Sequence, residues 1–486
     1  MSDILWIRRD LRIHDNPALV AAVENGVTNA VFISTPQQWQ QHHLAPIKAD
    51  FIYRHLKQLE LQLVEFGINL LHLKATDFDD QAAQLTHLYK QLDAKCVYAN
   101  SEPEVDEQLR DKRLIASGIK LKITDCDTIL PLGSVLNKQG EMFKVFTPFK
   151  NAWLKEVQVK GIICSPSPVE QTDLPQSPLQ QAQLQQAQLQ KDQQTSDLTA
   201  SQFSSDYDFD FPRIDSDRWP LSQDVLESVI PNFLANKVND YGKFRDIPSI
   251  KGTSGLSPYL TIGAVSPRWL AIQLIQQQPD LLFDTQLPAF SWLNELIWRD
   301  FYKHLMFHHP KLVKGANFQQ KYNGLDWYHD HPSFQAWCEG KTGYPLVDAA
   351  MRQLVETGWM HNRLRMVVAS FLTKHLLIDW RWGERFFMSH LIDGDFSANN
   401  GGWQWASSTG CDAQPYFRIF NPITQSEKFD PKGVFIRKYI PELQNIPDKH
   451  VHFPHDYIEK NGIDSEYWQP IVEHKQARLR ALAFFK

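Results

Sequence analysis

The chain has 486 residues, of which 43% are hydrophobic, and its formal net charge is −6. The length predicts roughly two to four domains. The acidic balance excludes nucleic-acid binding by the whole surface, so a basic face would have to be local. One candidate is the run 359–385, in which five lysines and arginines oppose two acids. The five cysteines are scattered and include no C-x-x-C pair, which predicts reduced thiols and no metal site. Without an apolar signal region at the amino terminus or a long apolar run, we expect a soluble cytoplasmic protein.

Short apolar runs alternate with helical patterns over residues 1–130. Apolar residues recur at helical spacing between 50 and 63, while the short runs are typical of buried strands. This alternation predicts a doubly wound, Rossmann-like parallel sheet that binds ligands at the carboxyl ends of its strands. No G-x-G-x-x-G or Walker A pattern supports a dinucleotide or triphosphate site. The predicted strands are 4–7, 30–33, 70–73, 96–98 and 121–124.

The composition changes between about residues 165 and 215. Four prolines precede a glutamine-rich near-repeat at 180–189, in which leucine recurs every five residues. That spacing suits neither a helix face nor a strand, so we predict a polar, mobile linker between domains. It lies inside a connector that we assign to residues 131–224.

Patterns from residue 225 to residue 486 are helical, and strand patterns are scarce. Residues 290–305 are amphipathic, and Pro345 suits the first turn of another helix. Ten of the 15 tryptophans lie between Trp269 and Trp405. Such clustering indicates a large aromatic core, stacking on a flat ligand or nucleobases, or electron hopping. We predict an all-helical domain built around these indoles.

The segment Asp393–Trp405 combines carboxylates, carboxamides, glycines and two indoles. Its glycines permit close backbone approach to a flat ligand, and its polar side chains can hydrogen-bond the edge of a heterocycle. Trp403 and Trp405 would face the same side on a strand, whereas a helix would separate them by about half a turn.

Asp393–Trp405 closely resembles the flavin-binding segment of the photolyase/cryptochrome family. Residues 5–16, 292–299, 343–352, 358–366 and 415–422 resemble other signatures of that family in the same order. The resemblance covers nearly the whole chain except about 165–215. It is greatest to the bacterial class I members that repair cyclobutane pyrimidine dimers in DNA, which implies an FAD-dependent, light-driven carbon–carbon lyase.

The resemblance implies that FAD is bound by the helical domain. Residues 253–257 precede a proline-started turn, where N–H groups and hydroxyls can hold a diphosphate. Asn399 matches the family position that faces the flavin N5, and a neutral carboxamide suits the reduced cofactor. The implied FAD-binding residues are Tyr241, Thr253, Ser254, Gly255, Leu256, Ser257, Trp292, Arg365, Asp393, Gly394, Asp395 and Asn399.

The resemblance also implies roles in repair. Glu295 would bind the damaged bases and, with Asn399, act in catalysis, while Trp298 and Trp405 would stack on an extruded lesion. From spacing alone, Glu295 would instead pair with Arg299 one helical turn away. The implied DNA contacts are Arg245, Glu295, Trp298, Arg299, Asn362, Arg363, Met366 and Trp405, and the implied electron relay is Trp327, Trp380 and Trp403.

A second chromophore is implied for the amino-terminal domain. His42, Asp106, Glu107 and Lys314 resemble residues that hold the antenna 5,10-methenyltetrahydrofolate in related bacterial enzymes. Asp106 stands where asparagine is common, and Val313 where a cysteine can occur. A deazaflavin antenna or an empty site therefore remain alternatives.

Three other functions are alternatives to the repair of cyclobutane pyrimidine dimers. Relatives that repair (6-4) photoproducts carry histidines where Asn362 and Met366 stand, although His361 occurs in both groups. Cryptochrome photoreceptors often carry a long tail after the helical domain, which this sequence does not show. A thermal flavin oxidoreductase would need a nicotinamide site, and none is recognisable. We therefore expect a monomer that acts on DNA containing pyrimidine dimers.

Overall fold

The computed structural model describes residues 2–168 and 207–486. In the first range, five parallel strands form one sheet in the order β3-β2-β1-β4-β5. The strand order reverses between β1 and β4, as in doubly wound folds, so the predicted fold class is confirmed. The strands are β1 Ile4–Ile7, β2 Asn29–Ser34, β3 Asn69–Lys74, β4 Val97–Asn100 and β5 Leu121–Thr124.

Both faces of the sheet are covered by helices. Alternate residues of β1 enter different apolar clusters: Leu5 and Ile7 join one, whereas Ile4 and Trp6 join the other. Burial on both sides explains why this strand is a continuous apolar run and does not alternate with polar residues. The helices of this range are Pro17–Glu24, Pro36–Gln41, Pro46–Val64, Phe78–Gln91, Val105–Ala116 and Phe146–Lys160.

Residues 225–486 are largely helical, as predicted, and among residues 207–486 β-pairing is limited to an isolated bridge between Tyr328 and Ile378. Several helices begin at a proline, which lacks the N–H that a first turn leaves unpaired. The α-helices are Ser222–Asp224, Ile230–Asn236, Tyr241–Phe244, Ser257–Thr261, Pro267–Gln277, Phe290–His308, His331–Cys338, Pro345–Thr357, Asn362–Ser370, Trp380–Met388, Phe396–Ser407, Pro422–Phe429, Val434–Tyr439, His455–Lys460 and His474–Phe484. Two π-helical turns, Val225–Val229 and Phe371–His375, and the 3-10 turns Val238–Asp240, Pro279–Leu282, Pro310–Lys314, Gln320–Tyr322 and Pro441–Leu443 complete the range.

One apolar cluster extends from β1 into the helical half, where it includes Trp292. The helix Phe146–Lys160 packs on Phe290–His308, and the indole N–H of Trp153 donates to Asp300 at 2.9 Å. Asp300 also accepts from the backbone N–H groups of Ile129 and Leu130. This buried carboxylate therefore ties the end of the α/β half to the central helix of the other half.

The linker predicted at 165–215 falls largely on residues 169–206, including the near-repeat at 180–189, which lie outside the described residues. Residues at the carboxyl end of the predicted linker pack on the sheet. Phe209 is buried, with its ring 5.9 Å from that of Phe32 and 5.2 Å from that of Trp39. These aromatic contacts hold residue 209 against the α/β half.

None of the described helices has both the length and the apolar character needed to cross a membrane. All five cysteines are free thiols. Among the described residues, no three His, Cys, Asp or Glu side chains are arranged to hold a metal ion.

Candidate functional site

The flavin-like segment is a loop that leads into the helix Phe396–Ser407. The helix begins after Asp395, whose carboxylate caps it by accepting from the N–H of Ala398 at 2.9 Å. Because the backbone is helical, the two indoles diverge: Trp403 is 2% exposed, whereas Trp405 is half-buried. A Cβ at Gly401 would lie 2.2 Å from the ring of Tyr302. Glycine is therefore required for this helix to approach Phe290–His308.

Residues 253–257 form a turn rich in unpaired hydrogen-bond donors. Among the described residues, the backbone N–H groups of 253–256 have no acceptor, and the hydroxyls of Thr253 and Ser254 have no partner. Gly255 has a φ of +69°, which glycine adopts without strain. The buried indole N–H of nearby Trp219 is also unpaired. Unpaired donors converging on one turn fit a diphosphate, since anions satisfy exposed N–H groups.

Asp393 joins this turn to two other predicted flavin segments. The guanidinium of Arg365 donates to both carboxylate oxygens of Asp393, at 2.9 and 2.8 Å, and the hydroxyl of Ser257 donates to one of them at 2.7 Å. Both contacts are made by one guanidinium nitrogen, Nη2, and the positive charge compensates the buried charge of this carboxylate. Three segments of sequence that were each assigned to FAD are therefore brought together at one carboxylate.

The amide of Asn399 has a fixed orientation. Its nitrogen donates to the backbone carbonyl of Glu384 at 3.0 Å, and among the described residues its oxygen has no partner. The oxygen is thus the free atom, as required for accepting a hydrogen bond from a protonated nitrogen of a ligand. The Glu384 side chain accepts from Asn400 at 2.7 Å, and burial raises the pKa of Glu384 to about 7.

Asp395 is held by a lysine that the sequence analysis did not identify. Lys303 is 1% exposed, and its ammonium lies 2.8 Å from Asp395, 3.0 Å from Asp127 and 3.7 Å from Glu104. Burial opposes the charged form of Asp395, but Lys303 and Arg299 outweigh it and lower its pKa to about 2. Lys303 lies one turn beyond Arg299 on the helix Phe290–His308. A lysine on a largely apolar helix face is unusual, and this could have identified Lys303 from the sequence.

The predicted DNA face contains paired charges. Arg245 forms a close hydrogen-bonded ion pair with Glu295, so the expectation from spacing that Glu295 pairs with Arg299 is wrong. Arg363 donates to Asp246 at 2.6 Å. The Asp246 carboxylate also lies 3.9 Å from Arg245, although sequence reasoning did not single it out. This acid lies next to Arg245 in the chain, which could have drawn attention to it.

Arg299 pairs with a different acid. Its side chain is 13% exposed and contacts both the carboxylate and the backbone carbonyl of Asp127. Its assignment to DNA stays a prediction, and a DNA phosphate would have to compete with Asp127 for this guanidinium.

The proposed basic run 359–385 does not form a solvated face. Lys374 is fully buried, and its ammonium donates to Ser408 at 2.8 Å. Arg381 is paired with Asp379 at 2.9 Å. Arg363, Arg365 and Arg381 are each ion-paired with an acid while their side chains stay 20–28% exposed, so these cations are partly accessible but already partnered.

Aromatic side chains pack against Trp298, predicted at the lesion, and against Trp292 and Tyr241, predicted at the flavin. Trp298 is half-buried, and Phe146 stacks on one of its faces at 3.5 Å with an interplanar angle of 6°. Asn362 is exposed at the start of its helix, and the guanidinium of Arg363 lies 3.8 Å from the sulfur of Met366. Phe233 contacts both predicted flavin-side aromatics, Trp292 at 5.2 Å and Tyr241 at 6.3 Å.

The three predicted relay indoles are all buried. Trp380 donates to Asn317 at 3.0 Å, and Gly383, one turn further along its helix, lies against the ring of Trp403. Trp327 is covered by Phe484 and Phe485, with ring centroids 5.1 and 5.7 Å away. No ring contact among the described residues joins two of the three, so any electron transfer between them would have to cross the space between separate rings.

A cavity of about 390 Å³ lies between the α/β and helical halves. His42, Asp106 and Glu107 line it, together with Val313. Lys314 is exposed and does not line this cavity. Burial, with the carboxylates of Glu104 and Glu102, raises the pKa of Glu107 to about 8. The raised pKa favours the protonated form, in which this side chain can donate a hydrogen bond.

The same cavity reaches the flavin segment. Lys48, Gly394 and Glu384 are among its lining residues, and the Lys48 ammonium donates to the carbonyl of Gly394 at 2.8 Å. Burial lowers the pKa of Lys48 to about 8. A ligand in the cavity would thus lie beside the backbone of the predicted flavin-binding loop.

Comparisons with known proteins agree with this geometry. The family described as DNA photolyase matches residues 3–173, and the FAD binding domain of DNA photolyase matches residues 292–486. The chain is 47% identical to the deoxyribodipyrimidine photo-lyase of Vibrio cholerae over 99% of both chains, and 42% identical to that of Escherichia coli over 99% of this chain and 98% of the relative. An archaeal photolyase structure from Sulfolobus tokodaii, described with two FAD molecules, aligns with a TM-score of 0.79 and 29% identity, covering 100% of this chain and 99% of that one. The chain therefore belongs to the DNA photolyase family.

Proposed function

We propose that this protein is a deoxyribodipyrimidine photo-lyase that uses light to split cyclobutane pyrimidine dimers in DNA. The junction of Ser257 and Arg365 on Asp393 carries the proposal, because it unites three segments, distant in sequence, that the resemblance assigned to FAD. Full-length relatives that are 47% and 42% identical bear that name. The dimer and the two pyrimidines have the same composition, so the reaction requires no net redox change.

The residues present fit FAD. Donors in the turn 253–257 would bind its diphosphate, and the free amide oxygen of Asn399 would accept from its ring system. Tyr241 and Trp292 would supply apolar walls, and the paired Arg365 and Asp393 would orient the polar edge. When bound, reduced and excited by blue or near-UV light, FAD supplies the electron that splits the dimer.

The chain's own contribution is to bind the lesion and to stabilise charge. Trp298, backed by Phe146, and Trp405 would present aromatic surfaces to the extruded bases, and such extrusion costs least for bases that already pair badly. Glu295 would hydrogen-bond the bases and stabilise the negative charge that they take up. Arg245, Asn362, Arg363 and Met366 would contact the surrounding DNA. Trp327, Trp380 and Trp403 would carry electrons that return FAD to its reduced form.

Recovery of thymine absorbance tests the reaction directly. Purified protein with chemically reduced FAD should restore absorbance in an irradiated oligothymidine under blue light, and an identical dark sample should not. An oligonucleotide containing only (6-4) photoproducts should remain unrepaired, because Asn362 and Met366 replace the histidines of those relatives. Light-driven FAD reduction without repair of either lesion would refute the proposal and favour a cryptochrome photoreceptor.

We propose that the cavity between the halves holds a second, light-harvesting chromophore, with 5,10-methenyltetrahydrofolate as the first choice. A protonated Glu107 can donate to the acceptors of a pterin ring, and His42 and Asp106 also line the space. Mass spectrometry of chromophores released from the native protein distinguishes folate from a deazaflavin or a second FAD. Purification with FAD alone, at one per chain, would refute occupation of the cavity.

The domain limits, the oligomeric state and the cellular location of the protein are proposals as well. We propose three parts: an antenna domain at 1–130, a connector at 131–224 and an FAD- and DNA-binding domain at 225–486. This division is supported by the confinement of the described strands to residues 4–124. We propose a monomer that works in the bacterial cytosol, supported by the unpaired state of all five cysteines. Light scattering at micromolar concentration should give a mass near 56.3 kDa.

A further inference from the structure

Two residues with separate proposed roles are bound to each other. Arg245 is proposed to contact a DNA phosphate, and Glu295 to contact the lesion bases, yet their side chains form a close ion pair. Their side chains are 25% and 28% exposed, so the pair is accessible from solvent. Arriving DNA must therefore compete with an internal partner for each of these groups.

The competition differs between damaged and undamaged DNA. A phosphate that takes Arg245 from Glu295 leaves a carboxylate beside the DNA backbone, where like charges repel. Undamaged bases stay stacked in the duplex and offer Glu295 no replacement partner. An extruded dimer brings imide N–H groups that can donate to the carboxylate, so Glu295 remains satisfied when Arg245 leaves.

We propose that Glu295 restrains Arg245 from the DNA backbone until a lesion engages Glu295, so that the pair is a determinant of lesion discrimination. This inference rests on the proposed function and deepens it, because it assigns specificity to a contact within the free protein. Arg245 acts on phosphate, and Glu295 acts on both the lesion and Arg245. The pair weakens binding to undamaged DNA more than binding to damaged DNA.

The neighbouring acid provides a matched control. Asp246 lies 3.9 Å from Arg245 and 2.6 Å from Arg363, with its side chain 35% exposed. Replacing Asp246 or Glu295 with its amide removes one negative charge from the same face. Asp246 has no proposed contact with the bases, so its effect should not depend on the lesion.

Binding of one oligonucleotide sequence, with and without a single dimer, tests the proposal by fluorescence anisotropy. Glu295→Gln should bind the undamaged form about two- to fivefold more tightly, as expected for an accessible ion pair, and the ratio of damaged to undamaged affinity should fall. Asp246→Asn should strengthen both complexes by a similar factor and preserve that ratio. An unchanged ratio in Glu295→Gln, or weaker binding to undamaged DNA, would overturn the proposal.

A double-mutant cycle with Arg245→Ala and Glu295→Ala on damaged DNA gives an independent result. If binding breaks the pair, each single variant is spared the cost of breaking it, so the double variant should lose about two- to fivefold more affinity than the product of the single losses. If the double loss equals the product of the single losses, the two residues act independently on DNA. If it is below that product, they act jointly on DNA. Either result overturns the inference. Repair by the parent under light is measured separately: a parent that repairs dimers while the cycle shows no excess loss overturns this inference alone, and a parent without repair overturns the proposed function.

Discussion

Replacing Lys303 with methionine should destabilise the helical half and its flavin-binding loop. The ammonium is buried among Asp395, Asp127 and Glu104. After its loss Asp127 keeps Arg299, and Glu104 keeps Arg9 at 3.0 Å. Asp395 is then left without a contacting cation among the described residues. The destabilisation should therefore be concentrated on the residue that caps the helix Phe396–Ser407.

The magnitude follows from the burial of this charge. Removing one partner of a buried ion pair costs about 3–5 kcal/mol, because the other charge remains desolvated. At roughly 2–3 °C per kcal/mol for a large domain, Tm should fall by about 6–15 °C. Asparagine also caps helices, so adding Asp395→Asn to Lys303→Met should recover most of this loss. The exposed Lys311, replaced with methionine, is the matched control and should change Tm little.

The loss should depend on pH. In the parent, the pKa of Asp395 is lowered to about 2, so its stabilising contribution is present above the unfolded pKa of about 3.9 and is lost as pH falls toward 2. Without Lys303, burial is opposed chiefly by Arg299, so the pKa of Asp395 rises in the variant and its stabilising contribution is reduced. Thermal melts followed by calorimetry and FAD absorbance should therefore show a deficit that is smallest at the lowest pH at which the protein stays folded and that widens toward neutral pH. A constant deficit, or one no larger than that of Lys311→Met, would refute this reasoning.

Three further predictions concern binding, electron transfer and the cavity. Trp298→Ala should weaken binding to dimer-containing DNA by about 1–3 kcal/mol, the usual contribution of one stacking platform. The control Trp382→Ala, which truncates a half-buried indole packed on His331, should not weaken this binding. Equal anisotropy titrations for Trp298→Ala and the parent would contradict the stacking role of Trp298. Trp327→Phe should block light-driven reduction of oxidised FAD, because phenylalanine is much harder to oxidise, and should still repair dimers with chemically reduced FAD; Glu295→Ala should show the reverse. Reduction of FAD at the parental rate in Trp327→Phe would return this residue to a purely structural role. Glu107→Gln should have nearly the parental free energy of unfolding at pH 4. Because the pKa of Glu107 is raised, the parent loses stability as pH rises, so the free energy of unfolding of the variant should exceed that of the parent by at most about 1.4 kcal/mol for each pH unit up to pH 8. Parallel urea titrations from pH 4 to pH 9 that show no such widening would be inconsistent with a raised pKa of Glu107.

Local patterns predicted the secondary-structure elements well. The strand at 4–7 and the helix that begins at Phe290 coincide with the structure at their first residues, because apolar periodicity directly reflects which side of an element is buried. The proposed relay positions and Asn399 were identified through the family resemblance. The sequence allowed Trp403 and Trp405 either to face one side, on a strand, or to diverge, on a helix. The helical backbone of the structure decided for divergence.

The sequence by itself determined the class of the protein, since the order of its motifs and the spacing of its apolar residues are local properties of the chain. Tertiary structure alone decided the partners of the charged residues. Lys303, Asp127 and Asp395 are distant in sequence, as are Arg245 and Glu295, and each ion pair depends on how two packed elements face each other. Spacing offered Arg299 as the partner of Glu295, but folding gave Arg299 to Asp127 instead. A long side chain can reach several neighbours, and the pairing that is realised is the one that leaves the fewest buried charges uncompensated.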